Sequence, residues 1–329
     1  MDFRSPKNLY NLYKLIKFIK KGDFDLIHSH GKAAGVYSRI AGKITHIPVI
    51  HHLHGIHYQQ YTKPIQILYR GVEAILSEWS HRIICVSESE RQEGLSLGMF
   101  KDNQTIVVRN GVNINDFKYL KDKKAELKAQ WNIPEKAKVI VSITRNCYQK
   151  NPELSLRIHE KLCRKYPDLF LFLIGIPPDS TNIIKLSENL NTADRVIITD
   201  KQQNMNHLLN IGDVYLNCSR WEGLSIGIIE AMATQLPIVL SNVVGNEELL
   251  DNQENGVLFV KDDSIDSYSE AIERLLESSE LTRLWGSKAR SAVTEQFNLD
   301  DKIKMIEKEY QGIVEDPVLI AEKKPLFKI

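Results

Sequence analysis

The stretch that most constrains the fold runs from residue 214 to residue 240. Val214–Leu216 end an apolar run of strand length, and Gly223 breaks that run. Ile226–Thr234 then carries apolar residues through two to three turns, which predicts a buried helix. A proline ends the helix and opens a second strand over Ile238–Leu240. The stretch therefore predicts a strand, a helix and a strand in succession, as in an α/β protein.

Two carboxylates bracket this predicted helix. Glu230 lies in an apolar run, where an unpaired carboxylate is costly to bury, so it needs donors from a protein partner or from ligand hydroxyls. Gly223 lets the backbone approach a ligand closely, and the free N–H groups after it form an anion site. The turn could thus hold a phosphate, with Glu222 and Glu230 free for hydroxyls. The alternative is a helix whose glutamate makes a structural salt bridge.

The pattern Glu-x7-Glu, followed by Ala-Met-Ala and a proline-led strand, resembles the signature of retaining, nucleotide-sugar-dependent glycosyltransferases of family four. That family has the B-type fold, so the resemblance implies an α/β protein with two Rossmann-like domains facing a cleft. It also implies that Glu222 contacts donor-sugar hydroxyls as a catalytic residue and that Glu230 binds the ribose hydroxyls. The amides of Gly223, Leu224 and Ser225 would face the diphosphate.

The composition is that of a protein with two ordinary cores. The chain has 329 residues, 43% of them hydrophobic, and a net charge of +1, which argues against a nucleic-acid partner. Its four cysteines are scattered, which suits a reduced compartment and neither a disulfide framework nor a zinc site. We find no secretory signal and no apolar run of membrane-spanning length, so the expected location is cytoplasmic.

Alternating strands and helices predict two parallel β-α-β series. The first has about four strands and the second about six. We therefore predict an acceptor-side Rossmann-like domain over 1–117, a lysine-rich linker over 118–137, a nucleotide-sugar donor domain over 138–313 and a poorly ordered tail over 314–329.

Histidines gather where the strands of the first series end. His28 and His30 end the first strand, and His54 follows the second. Ligands bind at the carboxyl ends of such strands, so these side chains predict a polar acceptor pocket. No His-x3-His pattern and no nearby cysteine accompanies them, so we predict no metal there. The family resemblance matches His54-Gly55 to an active-site His-Gly. It implies a catalytic role for His54 and leaves Gly55, His28 and His30 on the acceptor side.

Two cations lie in the first strand-to-helix turn of the second series. Arg145 and Lys150 suit a diphosphate, and the alternative is two solvated surface cations. The family has Gly-Arg, a short gap and Lys-Asn-Pro here, which implies that both residues bind the donor diphosphate; Thr144 replaces the glycine. Two further departures, Gly175-Ile176-Pro177-Pro178 and Thr199-Asp200, leave the identity of the base open.

Residues 7–21 have leucines and isoleucines at helical spacing, interleaved with Lys14, Lys17, Lys20 and Lys21. This pattern predicts a crossover helix of the sheet. The alternative is a basic amphipathic face resting on anionic lipid, peripheral on the inner membrane face.

The resemblance implies a hexosyltransferase of polysaccharide biosynthesis, needing no cofactor. It would move a sugar, with retention, from a nucleotide-diphosphate sugar to a glycan or a lipid-linked acceptor. Two alternatives stay open: a non-catalytic partner subunit that binds sugar nucleotides, and a nucleotide-sugar epimerase of the same fold.

The chain begins with a helix, whereas the family's opening strands and glycine-rich turn precede the region that matches Met1. We therefore expect the first domain to be truncated, and the chain alone to bind donor weakly and transfer poorly.

Overall fold

The computed structural model describes residues 6–250, 256–260, 262 and 264–316, with side chains from residue 9 onward and without that of Leu250. The part of the predicted tail from residue 317 onward lies outside the described residues. The chain divides into two compact units. Unit 1 contains residues 1–109 and 301–329, and unit 2 contains residues 110–300.

Unit 1 is built on a parallel sheet of four strands in the order β1-β2-β3-β4. Its elements in chain order are α1 (Pro6–Lys21), β1 (Ile27–His30), α2 (Gly31–Thr45), β2 (Val49–His52), α3 (Lys63–Ser77), β3 (Arg82–Cys85), α4 (Glu88–Ser96) and β4 (Thr105–Val107). A 3₁₀ turn, Asp102–Gln104, precedes β4. Val49 and Ile50 of β2 and Ile83 and Ile84 of β3 are buried because helices cover both sides of a parallel sheet.

Unit 2 has a parallel sheet of six strands in the order β10-β9-β8-β5-β6-β7. Its elements are α5 (Lys124–Ala129), β5 (Lys138–Ile143), α6 (Pro152–Cys163), β6 (Leu169–Ile174), α7 (Thr181–Asn189), β7 (Val196–Thr199), α8 (Met205–Leu209), β8 (Val214–Asn217), α9 (Ile226–Ala233), β9 (Ile238–Ser241), β10 (Val257–Val260), α10 (Ile265–Glu277) and α11 (Ser279–Gln296). Further 3₁₀ turns are Lys121–Lys123, Ala193–Arg195 and Asn246–Leu250. The predicted α/β fold with two parallel series is confirmed.

The last described helix, α12 (Leu299–Val314), returns to unit 1. Ile313 packs with Ile50 and Ile84, and Glu309 pairs with Arg82 at 2.8 Å. Residues 301–313 were predicted within the donor domain, whereas these contacts group them with unit 1. Helical periodicity marks the buried face of α12, but it does not show which sheet that face meets.

The strand order of unit 2 reverses beside β5. From β5 the chain proceeds outward through β6 and β7, and it then crosses back to β8 on the other side. In sheets of this type, ligands bind outside the carboxyl ends of the two strands at the reversal. The loops after β5 and after β8 therefore lie where a ligand is expected.

Candidate active site

An ion pair joins the two loops at this reversal. Lys150 follows β5 and Glu222 follows β8, and Lys150 Nζ lies 2.5 Å from Glu222 Oε1. The two side chains are only 12% and 5% exposed. Asn217 Nδ2, at the end of β8, donates to the same carboxylate oxygen at 3.3 Å. The structure thus brings together a cation and a carboxylate that the sequence analysis assigned to the diphosphate and to the sugar.

The turn after Glu222 is shaped by close backbone packing. Glu222 N donates to Val244 O at 3.0 Å, and Asn110 Nδ2 donates to Leu224 O at 2.6 Å. Gly245 has a φ of +87°, and a Cβ there would lie 2.5 Å from Glu222 O, so only glycine fits. Sequence reasoning missed Gly245, although a glycine four residues after a strand is a turn signal.

The turn after Glu222 leads into α9, and its backbone N–H groups are candidates for binding an anion. Ser225 occupies the N-cap position of α9, but its side chain caps no amide. Among the described residues, the N–H groups of Gly223, Leu224 and Ser225 have no hydrogen-bond acceptor. Unpaired N–H groups at the start of a helix attract anions, so this turn can bind a phosphate beside Lys150.

Arg145 lies in the same loop as Lys150, directly after β5 and Thr144. Its side chain is exposed, and it forms no ion pair with a described residue. The loop is tightly held because Thr144 N donates to Ile174 O at 2.8 Å, and a Cβ on Gly175 would lie 2.6 Å from Thr144 O. Arg145 is therefore a free guanidinium on a fixed backbone.

Glu230 lies half-buried on α9 and lines a cavity of about 540 Å³. Phe117 and Lys201 line the same cavity. Burial raises the pKa of Glu230 to about 7, and the nearby ammonium of Lys201 opposes the shift. A carboxyl in this position gains from any ligand hydroxyl that donates to it. Sequence reasoning missed Lys201, for which the only signal was its position just after β7.

Four histidine rings meet at the carboxyl ends of β1 and β2 in unit 1. The register places His30 opposite His52, and the rings of His28 and His52 stack with centroids 5.5 Å apart. His54 stacks on His52 at 4.6 Å, and its Nε2 lies 3.1 Å from His30 Nδ1. His51 points to the opposite face, where its Nδ1 lies 3.1 Å from Ser29 Oγ.

These four rings are neutral at neutral pH. Burial lowers the pKa of His28 to about 4, of His52 to about 3 and of His54 to about 4, and it lowers the pKa of His30 as well. Repulsion from His30 and His54 lowers the pKa of His28 and of His52 further. The cluster is therefore a set of uncharged donors and acceptors. It does not attract anions.

A buried carboxyl holds the His54-Gly55 turn. Glu90 is 1% exposed, and its two oxygens accept from Gly55 N at 2.5 Å and from Val86 N at 2.8 Å. Gly55 has a φ of +103°, a conformation that favours glycine. Sequence reasoning missed Glu90, although Ser87-x-x-Glu90 has the spacing of a capping box, and Ser87 Oγ does accept from Glu90 N. The glutamate side chain, however, reaches the histidine turn.

Comparisons with known proteins agree with this architecture. The model of the family "Glycosyl transferases group 1" matches residues 123–292, and that of "Glycosyltransferase Family 4" matches residues 1–116. The chain is 25% identical over 315 residues to the UDP-Gal:alpha-D-GlcNAc-diphosphoundecaprenol alpha-1,3-galactosyltransferase of Escherichia coli, covering 94% of this chain and 80% of that protein.

Two further proteins are similar. N-acetyl-alpha-D-glucosaminyl L-malate synthase of Bacillus anthracis is 30% identical over 203 residues, covering 62% of this chain and 53% of the relative. The crystal structure of Anabaena Alr3699/HepE in complex with UDP and glucose superposes with a TM-score of 0.82 at 19% identity, covering 94% of this chain and 83% of that one. The fold is the B-type glycosyltransferase fold, and the chain belongs to the group 1 glycosyl transferases.

Proposed function

We propose that the chain transfers a hexosyl group, with retention, from a nucleotide-diphosphate sugar to a glycan or lipid-linked acceptor. The observation that carries this proposal is the pairing of Lys150 with Glu222 beside a turn of unpaired amides, at the reversal of the six-stranded sheet. The name of the Escherichia coli relative specifies UDP-Gal and a diphosphoundecaprenol acceptor, which supports a UDP-sugar and a lipid-linked acceptor here.

In the proposed donor complex, the ammonium of Lys150 leaves its ion pair with Glu222 and pairs with the diphosphate instead. The ammonium of Lys150, the guanidinium of Arg145 and the amides of Gly223–Ser225 then stabilise the charge that develops on the leaving group. Glu222 is released to accept hydrogen bonds from the sugar hydroxyls, and Glu230 accepts from the ribose. No step needs a protein nucleophile or a metal ion, and we propose front-face attack by the acceptor. His54, His28, His30 and Gly55 form the acceptor side.

The proposal predicts that donor binding is independent of metal. UDP-galactose, UDP-glucose, UDP-N-acetylglucosamine and GDP-mannose are added to the full chain, with and without a chelator, and the melting temperature is measured. One sugar nucleotide is expected to raise it by mass action, equally in both conditions, since the phosphate contacts are cations and amides. Product formation with a retained anomeric configuration then separates a transferase from a binding subunit or an epimerase. A shift that disappears with the chelator would contradict the metal-free scheme.

We further propose that unit 1 contacts an anionic membrane surface. Within the described ranges, no helix is both long and apolar enough to cross a bilayer. The helices α1 and α3 both pack on α2. Together the three helices contain ten lysine and arginine residues and a single acidic residue, Glu73, in a chain whose net charge is only +1. Glu73 is buried against Arg39 at 2.8 Å, so this surface presents positive charge.

The helix α3 is inverted relative to an ordinary surface helix. Its glutamate faces the protein, while five large aliphatic side chains on it are exposed: Ile65, Ile67, Leu68, Val72 and Ile75. On α1, Tyr10, Tyr13 and Phe18 are also more than half exposed, beside Lys14, Lys17, Lys20 and Lys21. Apolar side chains next to lysines are the composition of a helix that lies in a lipid interface. We therefore propose that α1, α2 and α3 together, and not α1 alone, form the membrane-binding surface.

The membrane proposal predicts salt-sensitive flotation with anionic vesicles. The exchange of Lys17, Lys20 and Lys21 for glutamine should weaken binding by roughly fivefold per residue, since each contributes about 1 kcal/mol near an anionic surface. Replacement of Ile67 and Leu68 by serine should weaken it at any salt concentration. The control is Leu284→Ser, which removes an exposed leucine of unit 2. Equal flotation with neutral vesicles, or no effect of either set, would contradict the proposal.

A further inference from the structure

The histidine cluster of unit 1 contains ring nitrogens that the protein does not satisfy. His52 is 5% exposed, and neither of its ring nitrogens has a hydrogen-bond partner. The Nε2 of His28 is buried and unpaired as well. A buried polar atom without a partner costs roughly 1–3 kcal/mol, and these three atoms lie within one cluster. A ligand bound to these atoms would remove that cost.

The tautomers available to these rings suit a ligand that accepts lone pairs. His28 Nδ1 lies 2.5 Å from the hydroxyl of Tyr310, and donation from Nδ1–H to that oxygen leaves the Nε2 lone pair unpaired. His30 Nδ1 can donate in the same way to His54 Nε2, 3.1 Å away. Histidines that bind metals ordinarily donate their second ring N–H to a neighbouring oxygen or other acceptor, which fixes the tautomer.

We propose that His28, His30 and His52 bind a transition-metal ion of the Zn²⁺ class. One ligand atom from each of these rings lies within 4.8 Å of the others. Tetrahedral zinc–nitrogen bonds separate ligand nitrogens by about 3.4 Å, so modest ring rotations close the site. Three imidazoles leave the fourth position to water.

The chemistry of the donors selects the metal. Neutral imidazoles suit zinc, copper, nickel and cobalt, whereas magnesium, calcium and manganese prefer oxygen ligands. None of the three ligands is a carboxylate. The ion is not needed for transfer. Where the proposed function holds, an ion that fixes His30 and His52 should inhibit transfer at this acceptor side.

The test uses Co²⁺ and Zn²⁺ with the metal-stripped full chain. Calorimetry is expected to show one equivalent of Zn²⁺, and Co²⁺ should give the visible absorption of a four-coordinate site. His30→Gln replaces an exposed side chain and should remove the absorption; His52→Asn should do the same. Tyr310→Phe, which removes only the hydroxyl beside His28, should weaken binding by 10–100-fold. His207→Gln, in unit 2, is the matched control and should change nothing.

Each outcome decides the proposal. Absence of binding in the parent chain, or binding that survives both His30→Gln and His52→Asn, would overturn the site. Loss of binding in His207→Gln would assign the ion to surface histidines instead. Circular dichroism and melting temperature verify that every variant is folded. Because the absorption of Co²⁺ needs neither donor nor acceptor, the two proposals are tested separately. A chain that binds the metal but transfers no sugar even in its metal-stripped form would refute the proposed function and leave the metal site standing.

Discussion

Lys150→Met is expected to lower the stability of the chain by about 3–5 kcal/mol and to abolish measurable transfer. The first effect follows from burial. Glu222 is 5% exposed, and among the described residues its carboxylate would retain only the amide of Asn217, at 3.3 Å, once Lys150 is removed. A buried charge that has lost its partner keeps its full desolvation cost, so the native state loses stability.

The second effect follows from the proposed chemistry. Removal of one preorganised electrostatic group from a catalytic site costs about 10²–10³ in turnover. Lys150 would also hold the diphosphate, so affinity falls together with turnover. Glu222→Gln keeps the shape of the side chain and a hydrogen-bond acceptor. It should therefore lower turnover more than donor affinity, because its carboxylate is proposed to contact the transferred sugar.

The double variant Lys150→Met with Glu222→Gln separates the two effects. With both charges removed, neither is left buried and unpaired, so stability should return close to that of the parent. Transfer should remain absent because neither functional group is restored. Denaturant unfolding and steady-state kinetics on the four chains form a double-mutant cycle. If transfer recovers together with stability, the pair is structural, as the alternative reading of this helix holds.

A second ion pair of unit 2 provides the control. Lys124 Nζ lies 2.8 Å from Asp213, with side chains 25% and 15% exposed, away from the loops after β5 and β8. Lys124→Met should lower stability in the same direction as Lys150→Met and leave donor binding and turnover unchanged. A parallel loss of activity in this variant would show that the measured effect reports general destabilisation.

The elements of this fold follow from local patterns, whereas their long-range partners do not. Apolar runs ended by glycine, proline or polar residues mark most of the ten strands in the described residues, because a strand buried on both faces is largely apolar. The return of α12 to unit 1 depends on a match of surfaces between Ile313 and β2–β3, more than 200 residues earlier in the chain. The orientation of α3 cannot be predicted from its own sequence either, because Glu73 faces inward to pair with Arg39 on another helix.

The same division applies to the candidate site. Glu222, Lys150 and the turn at Gly223 carry local signals: charge, glycine and position at a strand end. Their mutual contact depends on the adjacency of β5 and β8, which are separated in sequence by two other strands. Glu90 had a capping-box spacing, but its reach to Gly55 N comes from the pairing of β2 with β3. Pairing of distant strands is the information that local periodicity lacks.

Glu230→Gln is expected to stabilise the chain and weaken donor binding at the same time. Burial raises the pKa of this carboxyl from 4.5 to about 7, so the folded state holds its proton more tightly than the unfolded state. The stabilisation that comes from the protonated carboxyl is fully present below pH 4.5 and is lost as the pH rises through 7. At pH 8 the ionised carboxylate costs about 3 kcal/mol, a cost that the neutral glutamine avoids.

Donor affinity should change in the opposite direction. The ionised form of Glu230 is the better acceptor for ribose hydroxyls, and at a pKa of about 7 its fraction rises roughly tenfold from pH 6 to pH 8. The donor dissociation constant of the parent chain should therefore fall by about tenfold over that range.

The variant should bind donor more weakly by roughly 1.5–3 kcal/mol at pH 8, with no such pH dependence. Calorimetry at the two pH values, together with urea unfolding, measures both effects. Glu188→Gln, an exposed glutamate of α7, is the control. If Glu230→Gln leaves donor affinity and its pH dependence unchanged while stability rises, Glu230 is only a strained buried carboxyl. If stability falls instead, the carboxylate has a structural partner, and the ribose assignment is wrong.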